Sequence, residues 1–361
     1  MKNNKLLVLF LILISTVIIY SCKKDYEVVD VDADAPYNLE YGSFPTPPIA
    51  QDNPLTREGV KLGRMLFYEK ALSRDGSMSC ASCHNQQTAF SDTNKFSIGV
   101  NNLPGGRQAM AVFNMAWNTN QFFWDGRADL LRHQSLMPIQ DNLEMDETLA
   151  NVVSKLQGDE MYRAQFNKAF GTDQIDTTLI SKAMEQFMNS IVSYQSKYDD
   201  FLAGKATLTA QEERGRFLFF TEYNPAFPNA TGADCQHCHG GPNFENDRYM
   251  NNGLDTDAQF TDLGREDVTG NTNDRAKFKV TSLRNIELTP PYMHDGRFQT
   301  LEEVVDHYNL VKTSATLDAS FQQQLPNGLQ LTQADKDALV AFLKTLTDNT
   351  LANNPEYSDP F

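Results

Sequence analysis

Apolar positions along the chain fall into two kinds of block. From Leu6 to Tyr20 they are continuous, with Lys2 and Lys5 before them and Ser21-Cys22 after. That run is short of the roughly 20 residues a bilayer span needs. With its basic flank it predicts an export signal over residues 1–22. The cysteine at its end predicts a lipoprotein type of signal, with Cys22 as the acylated first residue of an exported, periplasmic chain. Residues 23–48 are acidic and then proline-rich (Pro36, Pro45, Pro47, Pro48), and predict a flexible tether.

Beyond residue 49 the apolar positions recur at helical spacing. Leu179, Ile180, Ala183, Met184, Phe187, Met188, Ile191 and Tyr194 form one stripe. Thr332 to Leu346, with Leu339, Phe342, Leu343 and Leu346, predicts a closing helix. Gly63-Arg64-Met65-Leu66-Phe67 and Gly215-Arg216-Phe217-Leu218-Phe219 predict two more, the second opened by Thr209 and Glu212 as a capping box. These segments also repeat one another, and the likeness continues. Phe113-Asn114 leads to Trp124-Asp125-Gly126-Arg127, as Arg284-Asn285 leads to His294-Asp295-Gly296-Arg297, and each D-G-R turn precedes another helical stretch. The pattern predicts an all-α chain of two tandem domains, 49–204 and 205–361. Residues 251–267 and 273–279 read as loop.

Composition narrows the class. The chain has 361 residues, 40% hydrophobic and 22% charged, as in soluble globular proteins. Lys and Arg number 31 against 47 Asp and Glu, a net charge of −16, which excludes a nucleic-acid partner. An acidic surface suits a basic protein partner met by electrostatic steering.

The five cysteines carry the chemistry. Besides Cys22 they stand in Cys80-Ala81-Ser82-Cys83-His84 and Cys235-Gln236-His237-Cys238-His239, both C-x-x-C-H. Two thiols at this spacing add to the two vinyl groups of one haem, and the following His sits under the iron. A zinc ribbon would bring four thiols together, and a redox dithiol needs no His after its second Cys. The expectation is therefore two covalently bound haem c groups with His84 and His239 as proximal ligands, on two cytochrome-c-like domains. The repeat also bears on the distal side. Tyr308 follows His294 by fourteen residues, as Pro138 follows Trp124. If Tyr308 closes the second iron, Pro138 leaves the first five-coordinate, because proline cannot ligate. His307 is the rival for the second iron, and Met137 for the first.

These residues resemble the bacterial dihaem cytochrome c peroxidases and their relative MauG, over roughly residues 50–350. The likeness rests on the two C-x-x-C-H motifs, on Phe123-Trp124-Asp125-Gly126-Arg127-Ala128, and on Leu283-Arg284-Asn285-Ile286-Glu287-Leu288-Thr289 running into Pro291-Tyr292-Met293-His294-Asp295-Gly296. The stretch from Ser196 to Gly204 is similar to the family's interdomain helix end. The resemblance implies haems near the domain interface and Trp124 between them as an electron relay. It implies Glu144 as the distal acid/base of the peroxidatic haem, with Gln134 and Pro138 lining that pocket. It further implies a calcium ion on the carbonyls of Thr289 and Pro291, with Gln108 where the family carries Asn. No His stands on the loop after the first motif, and Tyr308 replaces the usual Met; both features are MauG-like.

The function so implied is reduction of hydrogen peroxide with electrons from a small cytochrome c or copper protein. A MauG-like oxidase would instead use a high-valent dihaem state to oxidise residues of a partner protein. A lipid-anchored electron carrier without turnover is the reading from another class. The family resemblance also implies a homodimer, with the membrane touched through the lipid anchor alone.

Overall fold

In this computed structural model, residues 35–227 and 231–361 are described. The expected signal over residues 1–22, with Cys22, and the first part of the tether lie outside them. In chain order the helices are α1 (Arg57–Tyr68), α2 (Leu131–Gln140), α3 (Leu149–Gly158), α4 (Glu160–Phe170), α5 (Thr177–Ser190), α6 (Lys197–Leu202), α7 (Ala210–Phe220), α8 (Glu266–Thr269), α9 (Leu301–Asn309) and α10 (Gln333–Lys344). A small antiparallel pair, β1 (Tyr249–Met250) with β2 (Phe278–Lys279), sets Tyr249 opposite Lys279 and Met250 opposite Phe278. No described helix is long and apolar enough to cross a membrane.

Side-chain caps fix where the helices begin. Thr209 Oγ1 accepts from the Glu212 N–H at 3.2 Å while Glu212 accepts from the Thr209 N–H at 2.7 Å, the capping box foreseen at α7. Thr300 and Glu303 do the same for α9.

The sequence repeat is a repeat in space. α1 crosses α5 at Gly63, where an added Cβ would collide with the Ala183 carbonyl oxygen and stand 2.7 Å from Phe187 Cβ. α7 crosses α10 at Gly215, where it would collide with the Ala338 carbonyl oxygen and stand 2.7 Å from Phe342 Cβ. Only glycine admits so close an approach of two helix backbones. The corners match too. Asn114 and Asn285 take positive φ of 54° and 57°, and Phe123 and Met293 of 70° and 74°. The backbone closes from Phe122 N to Ala128 O at 2.7 Å and from Tyr292 N to Phe298 O at 2.8 Å.

Each crossing nucleates a core. The first holds Leu62, Leu66, Phe67, Phe90, Ile180, Ala183 and Phe187 and also takes Leu351 and Tyr357 from the chain's end. The second holds Tyr198, Leu218, Phe219, Phe244, Phe342 and Leu346. A buried polar knot ties the repeats. Asn114 Oδ1 accepts from Ser193 N at 2.8 Å, Asn285 Nδ2 donates to Ser193 Oγ at 2.9 Å, and Asp348 Oδ2 accepts from the N–H groups of Tyr194 and Gln195 at 3.0 Å each.

Three expectations are corrected. The stripe ending at Tyr194 leaves the helix at Ile191, whose backbone is extended, because Ser193 to Gln195 bond Asn114 and Asp348 instead of continuing α5. The Ser196–Gly204 stretch is a short helix of its own, α6, opened by a Ser196/Asp199 capping box. Residues 35–48 of the expected tether lie on the body: Tyr37 N donates to Leu55 O at 3.0 Å, Phe44 is buried, and Trp117 Nε1 donates to Pro45 O at 2.7 Å. Their prolines do not prevent this, because carbonyl and aromatic contacts suffice to pin an extended segment.

Candidate functional site

Both C-x-x-C-H motifs open onto one cavity of about 680 Å³. Cys80–Ser82 and Cys235–His237 are single 3-10 turns, and in each the following His donates its backbone N–H to the first Cys carbonyl at 2.9 Å. The histidine rings are held alike. His84 Nδ1 lies 3.1 Å from Phe90 O, and His239 Nδ1 lies 3.1 Å from Phe244 O. Both carbonyl-bearing residues take positive φ, 57° at Phe90 and 53° at Phe244. A proton on Nδ1 leaves Nε2 as the lone pair for a metal, the arrangement expected of an iron-binding imidazole. Burial lowers the pKa of His84, and of His239 to about 4, which favours the neutral ring at both. Burial also raises the thiols of Cys80 and Cys235 to about 12 and of Cys83 and Cys238 to about 11. No three His, Cys, Asp or Glu side chains converge on a metal site among the described residues. The two motifs, their neutral rings and the shared cavity fit two covalently attached haems.

On the first motif's side the wall includes Gln134 and Pro138 from α2 and Glu144 from the turn that follows. Pro138 sits inside α2, where it has no N–H to give. Met137, its rival, is not part of the wall. Glu144 is placed by its backbone: its N–H donates to Asp141 O at 3.0 Å and its carbonyl accepts from Val100 N at 2.8 Å. Burial, with Asp141 adding and Arg127 opposing, raises its carboxyl to about 7.

Tyr308, from α9, lines the same cavity as the second motif. Its Oη accepts from Asn252 Nδ2 at 3.1 Å, and burial raises its phenol to about 12. His307, its neighbour, is not on the wall. The His307 Nε2 lies 3.1 Å from the Asn252 carbonyl oxygen.

Trp124 also lines the cavity. Its Nε1 donates to Gln108 O at 2.8 Å, while Gln108 N donates to His294 O at 2.8 Å. The Trp124 carbonyl accepts from Lys279 N at 2.8 Å. Gln108, Thr289 and Pro291 share the cavity wall. The Gln108 amide nitrogen donates to Ser91 Oγ at 3.1 Å and Asp92 O at 3.2 Å. Its amide oxygen and the Thr289 and Pro291 carbonyls accept no hydrogen bond among the described residues.

Residues 57–207 match the family described as di-haem cytochrome c peroxidase. The methylamine utilization protein MauG of Methylophilus methylotrophus is 33% identical, over 84% of this chain and 87% of that protein. Cytochrome c551 peroxidase of Nitrosomonas europaea is 34% identical, over 88% of this chain and 86% of that protein. The chain belongs to the di-haem cytochrome c peroxidase family. It is an oxidoreductase of that family, and its cofactors are haem c. A solved MauG-like protein associated with microbial copper homeostasis superposes with a TM-score of 0.81 at 34% identity, covering 90% of this chain and 99% of that one.

Several residues of this di-haem site leave no mark in the sequence pattern. Asn252, in a stretch that reads only as loop, touches Tyr308. Glu245 is a second carboxyl on the wall, raised by burial and by Asp247, with Lys279 opposing. Lys279 pairs with Asp247 at 3.1 Å, both nearly fully buried. Arg107 joins the two repeats through Asp125 at 2.6 Å and Asp262 at 2.7 Å, beside Trp124. A lone polar residue in a loop carries no periodicity, and only the chain's return to the cavity reveals these partners.

Proposed function

We propose that this protein reduces hydrogen peroxide to water, with electrons from a small cytochrome c or copper protein. His84 would hold the first haem with no second side-chain ligand, and His239 and Tyr308 would hold the second. The observation that carries this reading is the pairing of Pro138 and Tyr308: equivalent steps of the repeat, both on the cavity wall, one unable to ligate and one able. Bound haem would relay the two electrons that each peroxide takes from the donor protein, and two protons from solvent complete the second water.

The side chains do the rest. Glu144 takes a proton from the peroxide oxygen nearer the first motif and returns it to the farther one, so that water leaves; a carboxyl near pKa 7 suits both halves of that task. Gln134 stands on the same wall and orients the peroxide by hydrogen bonding. Pro138 keeps the distal face free of a competing donor. Trp124 passes electrons between the two haem-binding halves, its indole proton retained by the Gln108 carbonyl. A calcium ion on the oxygens of Gln108, Thr289 and Pro291 would hold that carbonyl in place. The acidic surface would steer a basic donor to the protein. The basic and apolar start of the chain, ending at Cys22, supports export to the periplasm on a lipid anchor, and the family resemblance supports a homodimer.

A second reading has its own support. A phenolate ligand favours oxidised iron, so Tyr308 suits a protein that stores oxidising equivalents and oxidises residues of a partner protein, as a MauG-like oxidase would. The test is peroxide-dependent oxidation of a reduced small cytochrome c by fully oxidised enzyme with no pre-reduction. Sustained turnover supports the peroxidase. Peroxide consumption without turnover, leaving a long-lived oxidised spectrum, supports the protein oxidase. No reaction at all contradicts both.

A further inference from the structure

Asn252 sits where the two candidate ligands of the second haem meet. Its side-chain amide donates to Tyr308 Oη at 3.1 Å and lies 3.5 Å from Met293 Sδ. Its backbone carbonyl, in the same residue, faces His307 Nε2 at 3.1 Å. The loop that carries it is pinned from both sides. Asn251 Nδ2 donates to Ser314 Oγ at 3.0 Å and Thr316 Oγ1 at 2.9 Å, and Gly253 O accepts from Lys312 N at 2.8 Å. Asn252 also lines a second, polar cavity of about 250 Å³ on the far side, which His294, Asp255 and Arg297 share. It is therefore a fixed wall between the two spaces.

We propose that Asn252 is a positioning residue whose side chain holds Tyr308 as the distal ligand of the second haem and tunes the bond it makes. The proposal rests on the reading of Tyr308 as that ligand. Its side chain acts on the tyrosine, and its backbone carbonyl faces the neighbouring histidine. With Nε2–H donated to the Asn252 carbonyl, His307 has no lone pair on that nitrogen to offer a metal. With the amide N–H on its oxygen, the Tyr308 side chain is held by a donor that also supports negative charge there, as a hydrogen bond to an anion does. That same hydrogen bond draws electron density away from the oxygen. It weakens the phenolate as a donor to iron and holds the reduction potential of the second haem higher than an unassisted phenolate would. Hydrogen bonds to ligating atoms tune metal sites in this way.

The experiment compares wild type, Asn252→Leu, Asn252→Ala and Tyr308→Phe as holoproteins, each checked for two attached haems. Two readouts are taken on each: the visible spectrum of the ferric protein, with its phenolate-to-iron band, and the midpoint potential of the second haem. Asn252→Leu keeps the volume and removes the donor; Asn252→Ala covers the case in which leucine disturbs folding. The expected result is a phenolate band at longer wavelength and a more negative second-haem midpoint in both Asn252 variants. If the Asn252 variants match wild type while Tyr308→Phe loses the band, Asn252 has no such role and the ligand reading stands. If Tyr308→Phe itself matches wild type, the ligand reading fails and this proposal falls with it.

Discussion

Trp124 and His294 occupy the same corner of the two repeats, and their rings meet edge to face with centroids 6.5 Å apart. His294 in turn stacks flat on Phe278, centroids 3.6 Å apart. The contact joins the two copies of the D-G-R turn on the cavity wall. Trp124→Phe keeps an aromatic ring in this packing and removes both the indole and its bond to the Gln108 carbonyl. It is expected to slow donor-driven turnover while leaving the first reaction with peroxide unchanged. Stopped-flow mixing with peroxide, beside steady-state turnover, separates the two rates.

Glu144 is expected to set the acid limb of the pH profile. Its folded pKa is raised, to about 7, so the carboxylate needed to accept the first proton is lost as pH falls through that value. Peroxide cleavage should therefore rise with pH around 7. In Glu144→Gln that limb should vanish and the rate fall by about 100-fold or more. Single-turnover kinetics across a pH range of about 5 to 9, with haem content measured, provide the check.

Replacing Tyr308 by Met exchanges an anionic oxygen ligand for a neutral thioether. The midpoint of the second haem should then move to a more positive potential, because axial ligand identity is a main lever on haem potential. A redox titration of the variant beside wild type measures it. An unmoved midpoint would remove Tyr308 from the coordination shell.

Gly63→Ala and Gly215→Ala should behave as twins. Each places a Cβ against a backbone carbonyl of the crossing helix, where no flexible side chain can give way. Each should destabilise the protein by about 1–3 kcal/mol or more. Chemical unfolding of both variants measures the effect, and neutrality at either site would deny the tight crossing there.

Much of the fold and site is legible in the sequence because the chemistry and the repeat leave local marks. Covalent haem attachment needs Cys, Cys and His at fixed spacing, so both motifs stand out in the chain. The duplicated glycine, Asn and D-G-R positions mark the paired crossings and corners in the sequence itself. What stays hidden is what folding alone brings together. Asn252 meets Tyr308 because a loop without periodicity returns to the cavity. Lys279 reaches Asp247 because β2 pairs with β1. Residues 35–48 read as tether because proline and acidic composition report no partner, yet Phe44 and Tyr37 dock on the body. The stripe through Tyr194 overruns its helix because periodicity cannot see Asn114 and Asp348 competing for the backbone.

The central claim is that one iron is open and the other closed. The most direct test is electron paramagnetic resonance of the fully oxidised holoprotein, with each haem quantified. The account predicts one high-spin ferric signal from the haem on His84 and one low-spin signal from the haem on His239, with the high-spin signal altered on adding a small ligand such as fluoride. Two low-spin signals, both indifferent to added ligand, would mean that the first iron is closed and would contradict it.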